Sequence, residues 1–219
     1  LSWPGLWNLM KNDRKEPSRA WRDSIFNSGH RRCVATESKS TTRVPVLTDT
    51  AWQFGEGGHE ATALLLLRHL KAFGYVKRFK SQPFALEELG GPVNRIPDLL
   101  VELEPDRSPS VHVIQVKSKR FITSDVEERF STERELLEGN GMCFHVWTDR
   151  DHLSKQTSQT VRILDRGFRH CVTPEVGERI GLAAKIAKTL APLLEQFGWD
   201  DAMSAAALGY FHINCMEKT

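Results

Sequence analysis

Two short apolar runs, Leu99–Leu103 and Val111–Val116, flank a cluster of turn formers, Pro105, Asp106, Arg107, Ser108 and Pro109, and no other stretch restricts the fold as much. Runs of this length, rich in branched residues and punctuated in this way, specify two strands paired as a hairpin. Asp98 stands at the head of the first strand. Gln115 and Lys117 are two residues apart on the second, and alternation along a strand puts them on one face.

That face has the makings of a metal site. Mg²⁺ takes oxygen ligands in a near-octahedral shell that keeps several waters, so one or two carboxylates with a few neutral oxygens suffice. In this reading Asp98 is the anionic ligand, Gln115 offers its amide oxygen and Val116 its backbone carbonyl. Lys117 is placed to orient an attacking water and to offset charge developing on a phosphate. The same residues also fit a plainer reading. Proline and aspartate ahead of a strand are common turn chemistry, and a glutamine and a lysine on one strand face are ordinary solvated residues.

Upstream, residues 59–73 contain good helix formers throughout, with Gly74 placed as a stop. Ala63, Leu64, Leu67 and Leu70 make a wide apolar stripe, and helical spacing sets Glu60 on that same side. Two accounts of Glu60 stand together. It lies in the first turn, near solvent and favoured by the helix dipole, or it turns inward toward a metal held by the following strands. His59, next to it, diverges by about 100° around the helix and is not a joint ligand. His112 and His145 fall within strands and are expected to be packed or hydrogen-bonded.

Residues 76–81 read as a strand, Gln82 and Pro83 as a break, and residues 84–86 as its continuation before Gly90, Gly91 and Pro92 turn the chain. Beyond Lys117, Ser124 and Glu127 have capping-box spacing, and Val126, Phe130, Leu136 and Leu137 mark one face of a helix ending near Gly139. Residues 142–147 form a further strand. The order helix, strand, strand, strand, helix, strand predicts an α/β (α+β) fold, a mixed central sheet flanked by helices. A last short strand is expected at 160–164, then a helix from Pro174 to about Phe197, apolar on more than one side and so buried against the core or a partner. A short helix at 200–208 and a β-like tail at 210–214 complete the chain.

Residues 1–50 mix Trp3, Trp7 and Trp21 with an excess of Lys and Arg, and read as a basic arm with one short helix near residues 19–26. Such an arm either contacts DNA or packs its tryptophans on the main domain. The division predicted is an arm at 1–50, a core at 51–172 and a compact, mainly helical region at 173–219. The whole chain of 219 residues carries a net charge of only +2, which by itself argues for no polyanionic partner. Cys33, Cys143, Cys171 and Cys215 are scattered, without metal spacing, as in free thiols of a reducing compartment. No run approaches the ~18 apolar residues of a membrane span, and no signal-peptide core is seen, so a cytoplasmic location is expected.

With an acidic residue on a helix, then IPDLLVEL, then VHVIQVKSK, followed by helix and strand, the chain resembles the PD-(D/E)xK, restriction-endonuclease-like nucleases. Within them it is similar to the TnsA family, the endonuclease subunits of heteromeric transposases, over residues 43–148, the segment Ser81, Gln82 and Pro83 included. The resemblance implies an active site of Glu60, Asp98, Gln115 and Lys117, with glutamine where the wider superfamily usually has an acid. It further implies a two-Mg²⁺ site, held by Glu60, Asp98 and Gln115 with the Val116 carbonyl already read from the hairpin, with Mn²⁺ as a substitute, and hydrolysis of the 5′-end strand of double-stranded DNA at transposon ends. The partners implied are a DDE-type transposase and an ATPase regulator. A winged-helix-like C-terminal domain is also implied, for which the last residues supply a compact version, with 207–214 as the strand of a wing. A self-sufficient restriction, repair or junction-resolving nuclease of the same fold, or a DNA-binding scaffold without activity, are the competing readings.

Overall fold

The computed structural model describes residues 16–28, 44–47, 52–104, 110–187, 189–211 and 213. Its elements are α1 (Arg19–Asn27), β1 (Val44–Leu47), β2 (Trp52–Gly55), α2 (Gly58–Ala72), β3 (Val76–Ser81), β4 (Leu99–Leu103), β5 (Val111–Val116), α3 (Ser124–Gly139), β6 (Cys143–Trp147), α4 (Lys155–Gly167), α5 (Pro174–Ile186), α6 (Ala191–Phe197) and α7 (Trp199–Ala207). Short 3₁₀ turns occupy Leu86–Leu89 and Lys119–Phe121. The fold is mixed α/β.

The expected hairpin forms the middle of a four-stranded sheet of order β3-β4-β5-β6. β3, β4 and β5 run antiparallel to their neighbours, whereas β6 joins β5 in parallel, the connection between them carrying α3. The tip of the hairpin, 105–109, lies outside the described residues. Helices cover both faces, so β4 is buried along its whole length and β5 at every position but the half-buried Gln115. Leu99, Val101, Ile114, Val116 and Trp147 pack toward α2 and α4 with Leu64, Leu67 and Val161. Leu100, Val111, Val113 and Phe144 pack the other way, against Phe130 and Leu137 of α3 and Ile25 of α1. Each fully buried leucine here contributes roughly 1.5–3 kcal/mol of transfer free energy.

Charged side chains join α1 to the sheet. Lys80 is only 3% exposed, and its Nζ donates to the Ile25 carbonyl and to Ser28 Oγ, each at 2.7 Å, and to the Ser28 carbonyl. An ammonium therefore meets the last carbonyls of α1, where the helix dipole favours positive charge. Glu102, also buried, pairs with Arg78, with Lys77 at 3.4 Å and with Arg22 at 3.5 Å, while Arg78 reaches Asp23 at 2.6 Å. Glu16 accepts from Ser110 N–H at 2.7 Å and its hydroxyl at 2.9 Å. This described part of the expected arm packs on the core. Its remaining basic and tryptophan residues before residue 16 lie outside the described residues.

Several local expectations change. Residues 160–164 are the centre of α4, whose Val161 and Leu164, three apart, are buried on one helical face. Residues 84–86 leave the sheet and enter the 3₁₀ turn. Thr123, one residue before the expected Ser124, is the N-cap of α3 and makes no side-chain cap. The helix from Pro174 ends at Ile186, Ala187 is extended, and Pro192 opens α6, so the long helix is two. Leu182 (61%) and Ile186 (87%) are exposed, contrary to full burial. Residues 207–209 end α7 and turn, and no strand occurs after β6 among the described residues. Unforeseen were β1 and β2, an antiparallel pair that spans the expected boundary at residue 50. His112 and His145 do meet, 2.8 Å apart and stacked, and burial together with His112 pushes His145 down to about 3.

Candidate active site

The head of β4 and the C-terminal ends of β5 and β6 meet at one end of the sheet. With Leu99 opposite Ile114, continuing the register one step sets Asp98 opposite Gln115. The carboxylate of Asp98 turns onto the neighbouring strand, where Oδ2 accepts the Val116 N–H at 2.6 Å. Its own carbonyl accepts from Gln82 N–H at 2.8 Å. Gln82 holds a positive φ of 47° directly before Pro83, a conformation unusual for a non-glycine residue. Ser81 beside it is fixed from below, its N–H and hydroxyl both donating to Gln53 Oε1 at 2.9 Å. Asp98 is thus held from both flanking strands.

Glu60 arrives from the N-terminus of α2. Gly55 at the end of β2 lies so close to that turn that a Cβ there would meet the Ala61 nitrogen at 2.6 Å. Only glycine permits this approach, which sets the first turn of α2 directly against the end of β2. Glu60 Oε2 accepts the Glu56 N–H at 2.7 Å. Both earlier accounts of Glu60 hold in part: it is in the first turn, and it is also drawn inward.

Electrostatics join these acids. Burial pushes the carboxyl of Asp98 well above the usual carboxylate range, and the charge of Glu60 pushes it further, against the pull of the Val116 N–H and of Lys117. Burial also raises Glu60, opposed by the Glu56 N–H and by Lys117 and reinforced by the charge of Glu56. Two carboxylates that disfavour each other's ionised form, with one ammonium in range of both, make a site that gains from an added cation.

Lys117 leaves β5 with its N–H donating to the Trp147 carbonyl at 3.0 Å. The next two residues are tied down by Asp149, which follows β6: Oδ2 accepts the Ser118 hydroxyl at 2.8 Å and Oδ1 the Lys119 N–H at 2.7 Å. The Lys119 N–H, then the Ser118 hydroxyl, hold the Asp149 carboxyl below its ordinary value, and His59 adds a smaller pull in the same direction. Of the expected set, Glu60, Asp98 and Lys117 are brought within electrostatic reach, and Gln115 joins by register. Val116, expected to offer its carbonyl, contributes its N–H to Asp98. Glu56, Gln82 and Asp149 were not singled out. Each acts through a contact distant in sequence or through backbone geometry, and only the Ser81, Gln82, Pro83 break hinted at one of them.

The side-chain donors gathered here are all oxygen: the carboxylates of Glu60 and Asp98 and the amide of Gln115. No three His, Cys, Asp or Glu side chains are grouped as a metal cage among the described residues, but Mg²⁺ asks only for one or two carboxylates, with water completing its shell. The donor set fits that ion. No helix among the described residues is long and apolar enough to cross a membrane. No family model matches the chain, and no curated protein matches it either.

Proposed function

We propose that the chain is a divalent-metal-dependent DNA endonuclease with a restriction-endonuclease-like core, working as the TnsA-type subunit of a heteromeric transposase in the cytoplasm. One observation carries the proposal: Asp98, anchored by the Val116 N–H, and Glu60, anchored by the Glu56 N–H, are half-buried acids within electrostatic reach of each other and of Lys117.

In this reading Asp98 and Glu60 hold Mg²⁺, with Gln115 and the backbone beside it adding neutral oxygen. The bound ion supplies Lewis-acid polarisation of the phosphate and lowers the pKa of a coordinated water. The chain's own groups do the positioning. The Val116 N–H fixes one Asp98 oxygen and leaves the other available, the Glu56 N–H does the same for Glu60, and Lys117 offsets negative charge at the phosphate as it builds. The turn clamped by Asp149 keeps the backbone that follows Lys117 in place. The substrate is the 5′-end strand at a transposon end, and the DDE-type transposase and ATPase regulator complete the assembly.

The test is cleavage of a labelled transposon-end duplex with Mg²⁺ or Mn²⁺, with and without the partner subunits, by wild type and Asp98→Ala. Metal-dependent nicking in the full mixture, lost in Asp98→Ala while partner binding persists, supports the proposal. Equal cleavage by both proteins removes Asp98 from the mechanism. Strong cutting of plain plasmid by the isolated chain replaces the transposase-subunit reading with a self-sufficient nuclease.

A further inference from the structure

Immediately past Lys117 the chain makes a tight turn, residues 118–122, whose chemistry the cleavage site does not use. Its backbone is closed by Phe121 N–H to the Ser118 carbonyl at 2.9 Å and Ile122 N–H to the Lys119 carbonyl at 3.1 Å, and Asp149 fastens it to the end of β6. On this fixed turn Phe121 stands 53% exposed, with the Arg120 guanidinium 4.6 Å from its ring centroid. A single exposed aromatic means little. An exposed aromatic on a closed turn beside Lys119 and Arg120, four residues from the proposed catalytic lysine, has the composition of a wedge that enters a base stack while its neighbours meet phosphate.

Behind the turn lies a cleft of about 330 Å³ between α3 and β6. Ile122, Phe130 and Val146 give it an apolar floor, and Lys119 and Arg134 on one hand and Glu127 and Asp151 on the other give it hydrogen-bonding donors and acceptors at the rim. Val146 is paired with Gln115 across the β5–β6 ladder, so the cleft adjoins the site directly. Apolar walls with a few polar groups suit a planar heteroaromatic ligand, and a rim that offers donors and acceptors side by side suits the edge of a nucleobase, which is read through both.

We propose that this cleft receives a nucleobase extruded from the DNA next to the scissile phosphate, and that Phe121 fills the gap left in the stack. The proposal rests on the nuclease reading for the identity of the DNA, but it concerns binding and is measured without cleavage. Extrusion costs least at an interrupted stack, so the probe is a nicked duplex carrying 2-aminopurine at the nick. It is titrated with the full chain in Ca²⁺ and low salt, at ~50 µM protein, where even non-specific affinity of ~10⁻⁴–10⁻⁶ M gives binding. Anisotropy of an end label reports binding, and 2-aminopurine emission reports unstacking.

Wild type should raise the emission several-fold. Phe121→Ala should lose most of that rise with unchanged melting temperature, Phe121→Trp should keep it, and Ser131→Trp, which fills the cleft from α3, should lose it. No rise on bound wild-type DNA, an undiminished rise in Phe121→Ala, or absence of binding would each overturn the proposal. A Phe121-dependent rise in a protein that never cleaves defeats only the nuclease chemistry. Cleavage without a Phe121-dependent rise defeats only extrusion.

Discussion

Asp98 Oδ2 accepts the backbone N–H of Val116 at 2.6 Å, so the acid that heads one strand is anchored on the next, one residue from Gln115 and from Lys117. This bond fixes one carboxylate oxygen without neutralising its charge. Burial and the neighbouring Glu60 make that charge costly, and the first expectation follows from the imbalance.

A carboxyl raised in the folded state binds its proton more tightly there than in the unfolded chain. The stabilisation is complete below the ordinary value of 3.8 and is lost as pH rises through the raised folded value. Asp98→Asn should therefore melt higher than wild type at neutral pH, by about 2–4 °C for each kcal/mol of repulsion removed. The difference should vanish toward pH 3. Mg²⁺ should raise the wild-type melting temperature and leave Asp98→Asn unmoved, and cleavage should be lost in the variant. Thermal melts from pH 3 to 8, with and without Mg²⁺, check this; a wild type that melts higher than Asp98→Asn at pH 7 without metal refutes it.

Gly55→Ala brings a Cβ to within 2.6 Å of the Ala61 nitrogen, a backbone atom that cannot rotate away. Either β2 or the first turn of α2 must shift. We expect a loss of about 1–3 kcal/mol by denaturant unfolding, together with weaker metal binding because Glu60 moves with its turn. Full metal affinity in a destabilised variant would separate Glu60 from the site.

Asp149→Asn keeps the size of the side chain but weakens the two charge-assisted bonds to Ser118 and Lys119. Lys117 then loses the support of its flanking turn. Groups that orient catalytic residues typically cost about 10–100-fold in activity when removed, and the loss should appear in kcat more than in KM. The Asp149 carboxyl is held below its ordinary value, so its contribution to stability is present above 3.8 and disappears as pH falls through the lowered folded value. A pH titration of the melting temperature in both proteins tests the sign.

Lys80→Met leaves the terminal carbonyls of α1 without their buried ammonium. An unsatisfied buried acceptor costs roughly 1–3 kcal/mol, and here the cost should be local. Amide exchange in α1 should accelerate well before that in α2 or β5. Uniform acceleration across the chain would mean that α1 is not a separately docked element.

The hairpin, α2 and α3 were legible because each advertises itself within its own few residues: apolar runs with turn formers between them, an apolar stripe closed by Gly74, a heptad-like face ending near Gly139. Alternation along β5 was enough to put Gln115 and Lys117 on one face, while Asp98 comes opposite Gln115 through the register of the folded hairpin. Residues 160–164 were misread because their apolar spacing is short enough for either period, and their burial beneath α2 and α7 was decided by distant elements. Glu56, Gln82 and Asp149 enter the site through a backbone N–H, a positive φ and a pair of bonds across two loops, none of which leaves a periodic trace. The sequence by itself determined which segments pair and which side chains share a strand face, because those are local properties of a chain with fixed dihedral periods. Only the tertiary structure decided that Glu60 of α2 comes within electrostatic reach of Asp98, that Lys80 draws α1 onto the sheet and that Asp149 holds the turn beyond Lys117, because each depends on contacts between segments far apart along the chain.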